Sequence, residues 1–360
     1  MEKRQTYIIA EAGVNHNGSV DMAKELIDAA ADAGADAVKF QTFKANALVS
    51  ASAPKAEYQK SRTSESESHL DMLRKLELNE AAHRTLADHC RMRKIQFLST
   101  PFDVESLDLL VRRINVPLLK LPSGEITNGP LLLAAARTKK PIILSTGMSA
   151  LAEVRTTLGV LAYGYTSLKE RPSLAAFRDA YQSKSGQRAL KANVTLLHCT
   201  TEYPAPFTQV NLLAMNTMRE AFNLPVGLSD HTPGIAVSIA AAALGAVVIE
   251  KHFTLDRTLP GPDHKASLVP AELRELVNSI RVVEEALGSA KKAPTKSELK
   301  NIPIARRSLV AIKDIARGET FTEENLGCKR PGTGASPLRY WQMLGKKADK
   351  NYRIDELVQA

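Results

Sequence analysis

Eight short apolar runs, each followed by a stretch with helical periodicity, constrain this chain more than any other feature. The runs are Tyr7–Ala12, Ala37–Gln41, Ile95–Thr100, Leu118–Ser123, Ile142–Thr146, Val194–Cys199, Val226–Ser229 and Val247–Phe253. Helical patterns lie at Met22–Ala33, Glu80–Met92, Leu107–Arg113, Leu131–Arg137, Ala152–Leu161, Leu212–Phe222, Gly234–Leu244 and Pro270–Leu287. The last opens with Pro and stops at Gly288, as helix ends prefer. Strands apolar along both faces belong in a parallel sheet covered on both sides by helices. Eight such units within residues 1–288 predict an α/β chain closed as a (β/α)8 TIM barrel, not an open doubly wound sheet.

The remainder of the 360 residues fits a small appendage. After Gly288 the polar stretch Ser-Ala-Lys-Lys-Ala-Pro-Thr-Lys-Ser-Glu reads as a linker. The expected organisation is a barrel over 1–288, a linker over 289–302 and a small β-rich domain over 303–360. Two excursions interrupt the barrel rhythm. Residues 42–78, including the polar run Lys60–Ser68, follow a strand, where barrels build functional lids. Residues 162–192, rich in Ser, Lys, Arg and Gly, precede a strand on the opposite rim and read as decoration.

The formal charge of +9 raises the question of nucleic acid, and its distribution argues against it. Residues 291–360 carry 15 Lys and Arg against 8 Asp and Glu, while the other 290 residues carry 33 against 31. No basic stripe with interleaved aromatics appears. A basic tail on a nearly neutral body suits an anionic small substrate or a subunit contact. Cys90, Cys199 and Cys328 show no C-x-x-C spacing, so neither a zinc cluster nor a disulfide framework is suggested. No apolar leader precedes Glu11, and the most apolar stretch, 235–249, is too short to span a bilayer. A cytoplasmic protein with no membrane partner is expected.

In such a barrel the chemistry sits where the strands end in their following loops. That edge is crowded with polar residues: Glu11 on the first strand, Lys39 and Gln41 on the second, Thr100 on the third, and Lys120, Ser123 and Glu125 on the fourth. Ser145, Tyr203, Ser229, His231, His252 and Asp263 follow from the later units. A single strand-end hydroxyl is ordinarily a helix cap, and a single histidine on an apolar strand is ordinarily a core residue. Eight strands ending in polar groups at one rim are not explained that way. Lysines inside strands built for burial are costly unless they face an anion, so Lys39, Lys120, Ser123 and Ser145 suggest a phosphate or carboxylate pocket. His231 and His252, ending adjacent strands, could share a divalent metal with positions left for water and substrate oxygen.

The stretches Ile9–Gly18, Val38–Phe43, Ser99–Asp103, Pro122–Glu125, Ser145–Met148, His198–Pro204, Leu228–Thr232, Glu250–Asp256 and Gly261–His264 together resemble the sialic acid synthase family. Ser308–Leu326 with Lys329-Arg330-Pro331-Gly332 is similar to the antifreeze-like (SAF) domain those synthases carry. The resemblance runs in order along nearly the whole chain, with 162–192 outside it. It implies condensation of phosphoenolpyruvate with an N-acetylated amino sugar and water, giving a nonulosonic acid and phosphate by C–O cleavage. Lys39, Thr100, Lys120, Ser123, Ser145 and Ser229 would hold phosphoenolpyruvate. Manganese or magnesium would sit on His231 and His252, Glu11 beside the reacting carbons, and Gln41, Glu125, Tyr203 and Asp263 on the sugar side. Arg330 would reach in from the partner subunit of a domain-swapped homodimer. N-acetylmannosamine is the expected sugar, making N-acetylneuraminate. Thr201 stands where some members have Asn, and the alternatives are a 2,4-diacetamido sugar leading to N,N'-diacetyllegionaminate and, more weakly, a pseudaminate precursor.

Overall fold

A computed structural model describes residues 5–55, 67–166 and 171–359. The chain divides into two compact units, residues 1–288 and 289–360. In the first, eight parallel strands are β1 (Tyr7–Gly13), β2 (Ala37–Thr42), β3 (Gln96–Pro101), β4 (Leu119–Leu121), β5 (Ile142–Ser145), β6 (Val194–Cys199), β7 (Val226–Asp230) and β8 (Val248–His252). They hydrogen-bond in the order β3-β2-β1-β8-β7-β6-β5-β4, and β3 lies beside β4 to complete the round. This is the (β/α)8 architecture, with β1 pairing in parallel to both β2 and β8.

Helices follow the strands: α1 (Val20–Asp32), α2 (Ala45–Leu48), α3 (His69–Leu76), α4 (Glu80–Arg93), α5 (Val104–Asp108), α6 (Gly129–Arg137), α7 (Leu151–Thr166), α8 (Leu174–Gln182), α9 (Lys184–Asn193), α10 (Ala214–Phe222), α11 (Ala236–Ala243) and α12 (Pro270–Leu287). Their starts are written in the sequence. Ser19, Ser68, Asn79, Asp103, Asn128 and Ser173 each accept a hydrogen bond from a backbone N–H of the first turn. Outward-facing Ile8, Val38, Phe97, Leu144, Leu196, Leu228 and Ile249 pack against these helices in one continuous core.

The two excursions differ from a plain loop reading. Residues 42–78 contain α2 and α3, which pack with Val14, Phe43 and Ala45 in a cluster of their own; most of Lys60–Ser68 lies outside the described residues. Residues 162–192 are largely helical, formed by the end of α7 with α8 and α9. Tyr163 meets Phe177 edge-on at 5.3 Å between ring centroids, and Ala176, Ala180 and Leu190 are buried. Polar composition hid this segment, because only a few residues of each helix, such as Ala176 and Ala180 on α8 and Gly186 and Leu190 on α9, are buried.

The second unit pairs β9 (Ser308–Ala311) with β10 (Leu326–Lys329) in antiparallel register. Its core gathers Leu309, Ile315, Phe321, Leu326, Met343, Tyr352 and Val358. One short helical turn, Lys296–Leu299, lies in the stretch read as linker, and a second, Ile302–Ala305, begins at its end.

Candidate active site

Alternation along the strands sorts the barrel interior into layers. Ile9, Ala37, Leu98, Ile143, Leu197 and Val248 form an apolar plug. Two residues further along the same strands stand Glu11, Lys39, Thr100, Ser145, Cys199 and Glu250, joined by Lys120 from β4 and Ser229 from β7. Gln41 and His252, a further two residues on, and His231, two beyond Ser229, rise above them. At plug level β7 carries Gly227, where a Cβ would come within 2.3 Å of the Val248 carbonyl oxygen and 2.8 Å of Leu197 Cδ2. Glycine there lets the plug close beneath a cavity of about 300 Å³ at the strands' C-terminal ends.

The cavity floor is a network of four buried charges. Lys39 Nζ lies 2.5 Å from Glu11 Oε2 and 3.6 Å from Glu250 Oε2, and donates to Thr100 Oγ1 at 3.1 Å. Lys120 Nζ is 3.4 Å from Glu250 Oε1, which also accepts from Ser229 Oγ at 2.8 Å. Burial pushes both carboxyls upward, but with different outcomes. For Glu250 the two lysines outweigh burial and hold it at about 2. For Glu11 burial wins over Lys39, and its pKa is raised to about 7. Two neighbouring carboxyls pushed apart in this way divide into a permanent anion and a group able to exchange a proton near neutrality. Desolvation lowers the Lys120 pKa, against the pull of Glu250.

The hydroxyls are arranged as donors. Ser123 Oγ accepts from Gly147 N at 2.9 Å, so its own proton can point into the cavity, and Ser145 Oγ is buried with no hydrogen-bond partner among the described residues. A Cβ on Gly147 would lie 2.3 Å from Thr201 Oγ1 and 2.8 Å from Ser123 Oγ, so glycine admits both to the wall.

His231 and His252 stand 5.5 Å apart between ring centroids, with Tyr203 at 4.2 Å from the first and edge-on to the second at 5.6 Å. His231 Nδ1 donates to the Thr200 carbonyl at 2.7 Å, which leaves the lone pair on Nε2. Burial opposes charge on His231, but Cys199 beside it and the Thr200 carbonyl outweigh this and raise its pKa. The added proton would occupy Nε2, the same position a metal would take. His252 is driven well below its ordinary pKa by burial, with His231 and Lys39 adding to the effect, and its Nδ1 is buried without a hydrogen-bond partner. His252 Nδ1 without a partner and His231 Nε2, held only by a 3.4 Å contact with Ser229 Oγ, fit a divalent ion with several positions left over. Among the described residues no group of three or more His, Cys, Asp or Glu is placed to hold a metal.

Of the residues singled out from sequence, Glu11, Lys39, Gln41, Thr100, Lys120, Ser123, Ser145, Tyr203, Ser229, His231, His252 and Asp263 all line this cavity. Glu125 does not: it sits half-buried beyond the rim, accepting from Asn128 Nδ2 at 2.6 Å. The reason is local, since Ser123–Glu125 turns as a 3-10 segment and carries the carboxylate towards the start of α6. Arg330 is an exposed residue of the second unit, at the end of β10. Sequence reasoning left out Glu250 as a working residue, although its spacing of two from His252 placed both on one face. It also left out the apolar wall from α2 and α3, while Thr201, singled out as a departure from some members, lines the cavity with an Oγ1 that is buried without a hydrogen-bond partner among the described residues.

A barrel with this polar floor is followed by a small β unit, and both parts match known families. Residues 26–292 match the NeuB family model and residues 306–360 the SAF domain model; the chain belongs to the NeuB family. It is 53% identical over 355 residues to the N,N'-diacetyllegionaminic acid synthase of Campylobacter jejuni, covering 99% of each chain. The Legionella pneumophila enzyme of the same name is 46% identical, covering 96% of this chain and 91% of its own. Among solved structures, the N-acetylneuraminic acid synthetase of Leptospira borgpetersenii superposes with a TM-score of 0.65 at 33% identity, over 83% of this chain and 91% of the other. These findings overturn N-acetylneuraminate synthesis from N-acetylmannosamine as the expected reaction and favour the 2,4-diacetamido alternative. The motifs that carried the resemblance mostly line the anion and histidine side of the cavity, which leaves the sugar unspecified. Among the described residues, no helix is long and apolar enough to cross a membrane.

Proposed function

We propose that this chain is a phosphoenolpyruvate-dependent nonulosonic acid synthase. It condenses phosphoenolpyruvate with a 2,4-diacetamido hexose and water, and releases N,N'-diacetyllegionaminate and phosphate. The observation that carries the choice of sugar is the 53% identity extending over 99% of both chains. Lys39, Lys120, Thr100, Ser123, Ser145 and Ser229 receive the anionic groups of phosphoenolpyruvate, each charge-assisted contact being stronger for the low dielectric around it. Glu250, held ionised, balances the lysines. Glu11, with its pKa near neutrality, accepts the proton of the attacking water or steadies positive charge on the adjacent carbon. Gln41, Tyr203 and Asp263 position the sugar.

His231 and His252 would hold manganese or magnesium, which when bound polarises the sugar aldehyde. Arg330 of the partner subunit would complete the sugar side in a swapped homodimer. The deciding experiment is phosphate release from phosphoenolpyruvate with a panel of free acetamido hexoses. Turnover only with the 2,4-diacetamido sugar, or strongly favouring it, is expected. Preference for N-acetylmannosamine would refute this reading.

A further inference from the structure

One side of the cavity is unlike the rest. The barrel strands line it with charged and hydroxyl groups, whereas α3 presents His69, Met72, Leu73 and Leu76 to the same space, with Leu48 and Val49 from the end of α2. The α3 residues are spaced i, i+3, i+4 and i+7, one face of a helix. That face is firmly placed: Met72, Leu73 and Leu76 are buried in a cluster with Val14, Phe43 and Ala45, and Ser68 caps the helix by accepting from Asp71 N at 3.0 Å. Nothing in phosphoenolpyruvate chemistry calls for such a wall.

We propose that this face of α3, extended by Leu48 and Val49, is the subsite that reads the second acetamido group of the sugar. The inference rests on the substrate class given above and names the residues that would select it. A sugar hydroxyl pressed against Met72 and Leu73 would leave water without gaining a partner, while an acetamido methyl would bury itself there. The amide of the same group has one donor and one acceptor. His69, the polar member of the face, gives its ring N–H to the Pro54 carbonyl, which leaves the buried Nδ1 lone pair to accept from the amide N–H; burial lowers its pKa in favour of that neutral form, against a push from the Pro54 carbonyl. A mono-acetamido hexose could reach the same floor but would set a hydroxyl against this wall.

The test compares kcat/KM for a 2,4-diacetamido hexose with kcat/KM for N-acetylmannosamine in the wild type and in Met72→Gln, His69→Ala and Val49→Asn. Met72→Gln keeps the side-chain length while placing an amide on the wall. The ratio of the two constants is expected to fall at least about tenfold in that variant, within the range a single apolar contact gives, and by less in the other two. Val49 is half-buried at the cavity edge, so its substitution keeps the test open should Met72→Gln melt early by circular dichroism. Parallel losses with both sugars, or an unaltered ratio in all three, would overturn the subsite while leaving the substrate reading standing. A wild type that prefers N-acetylmannosamine overturns both.

Discussion

Two buried charge networks lie one residue apart on β7 and β8, and they are built to opposite ends. Asp230 and Lys251 point outward beneath α11, 2.9 Å apart and each about 1% exposed. Every contact there is closed. Asp230 Oδ1 accepts from Thr232 N and Oγ1, both at 2.8 Å, Oδ2 accepts from Ser238 Oγ at 2.6 Å, and Lys251 Nζ donates to the Thr232 carbonyl at 2.5 Å. The inner network of Glu11, Lys39, Lys120 and Glu250 is equally buried but unfinished. Among the described residues, Lys120 makes only contacts of 3.4 and 3.5 Å, and Ser145 Oγ has no hydrogen-bond partner. Burial of charge is therefore a poor guide to role, and saturation is a better one. The closed network braces the strand ends that carry His231 and His252; the open one leaves donors unspent, as the proposed anion site requires.

The largest expected effect comes from leaving the inner site incomplete. Chelation should abolish phosphate release, with recovery on adding manganese or magnesium, and His231→Ala should do the same while melting as a folded barrel. Full turnover by a His231→Ala/His252→Ala protein in chelator would remove the metal from the reading.

Breaking the closed network should cost stability instead. Lys251→Met strands Asp230 and is expected to lose about 3–5 kcal/mol in urea denaturation. Lys120→Met should unfold close to the wild type, because Glu250 keeps Lys39 and Ser229. If the two variants lose equal stability, the distinction between the networks fails.

Next in size is a pH effect at His16, which is fully buried, accepts from Gly18 N at 2.9 Å through Nδ1, and leaves Nε2 without a partner. Burial, with His83 and His264 adding, lowers its pKa from 6.5 to about 4. The unfolded chain binds the proton first, so this contribution is present above pH 6.5 and is lost as pH falls towards 4. The loss is about 3 kcal/mol. Urea midpoints across that window should drop more steeply for the wild type than for His16→Leu. Equal slopes would show that His16 does not carry the effect.

Smaller again is the loss of one charge-assisted contact in Lys120→Met, about 1.5–3 kcal/mol, or roughly ten- to a hundredfold in the KM for phosphoenolpyruvate. An unchanged KM would place the anion elsewhere.

The strands and most barrel helices were legible because their apolar periods and caps are strong local signals, as with Pro270–Leu287 ending at Gly288. Once the barrel was recognised, the alternation of Ala37, Lys39 and Gln41 along β2 was enough to place both polar side chains in the cavity. What escaped lay in turn geometry and in packing. Nothing near Glu125 announces that its turn swings the carboxylate to Asn128. The α8–α9 hairpin buries a few small or apolar residues set among polar ones, and the apolar face of α3 looks like ordinary core until the cavity beside it is seen.

The smallest effect asks whether the sugar side of the site is completed from another subunit. Arg330 ends β10 at an exposed position, and no contact described within its own unit explains a charge there. If it serves the sugar side in trans, a His231→Ala protein and an Arg330→Ala protein should complement each other after subunit exchange. Random reassortment of equal amounts makes half the dimers mixed, and in each mixed dimer one of two sites combines an intact barrel with an intact arginine. About a quarter of wild-type phosphate release should return, far above either protein alone. Contacts in cis would pair every intact barrel with the mutated arginine, and the mixture would show only the averaged activity of its two components. A monomer by light scattering would end the idea without the mixing, and would leave Arg330 as a solvated charge at the end of a strand.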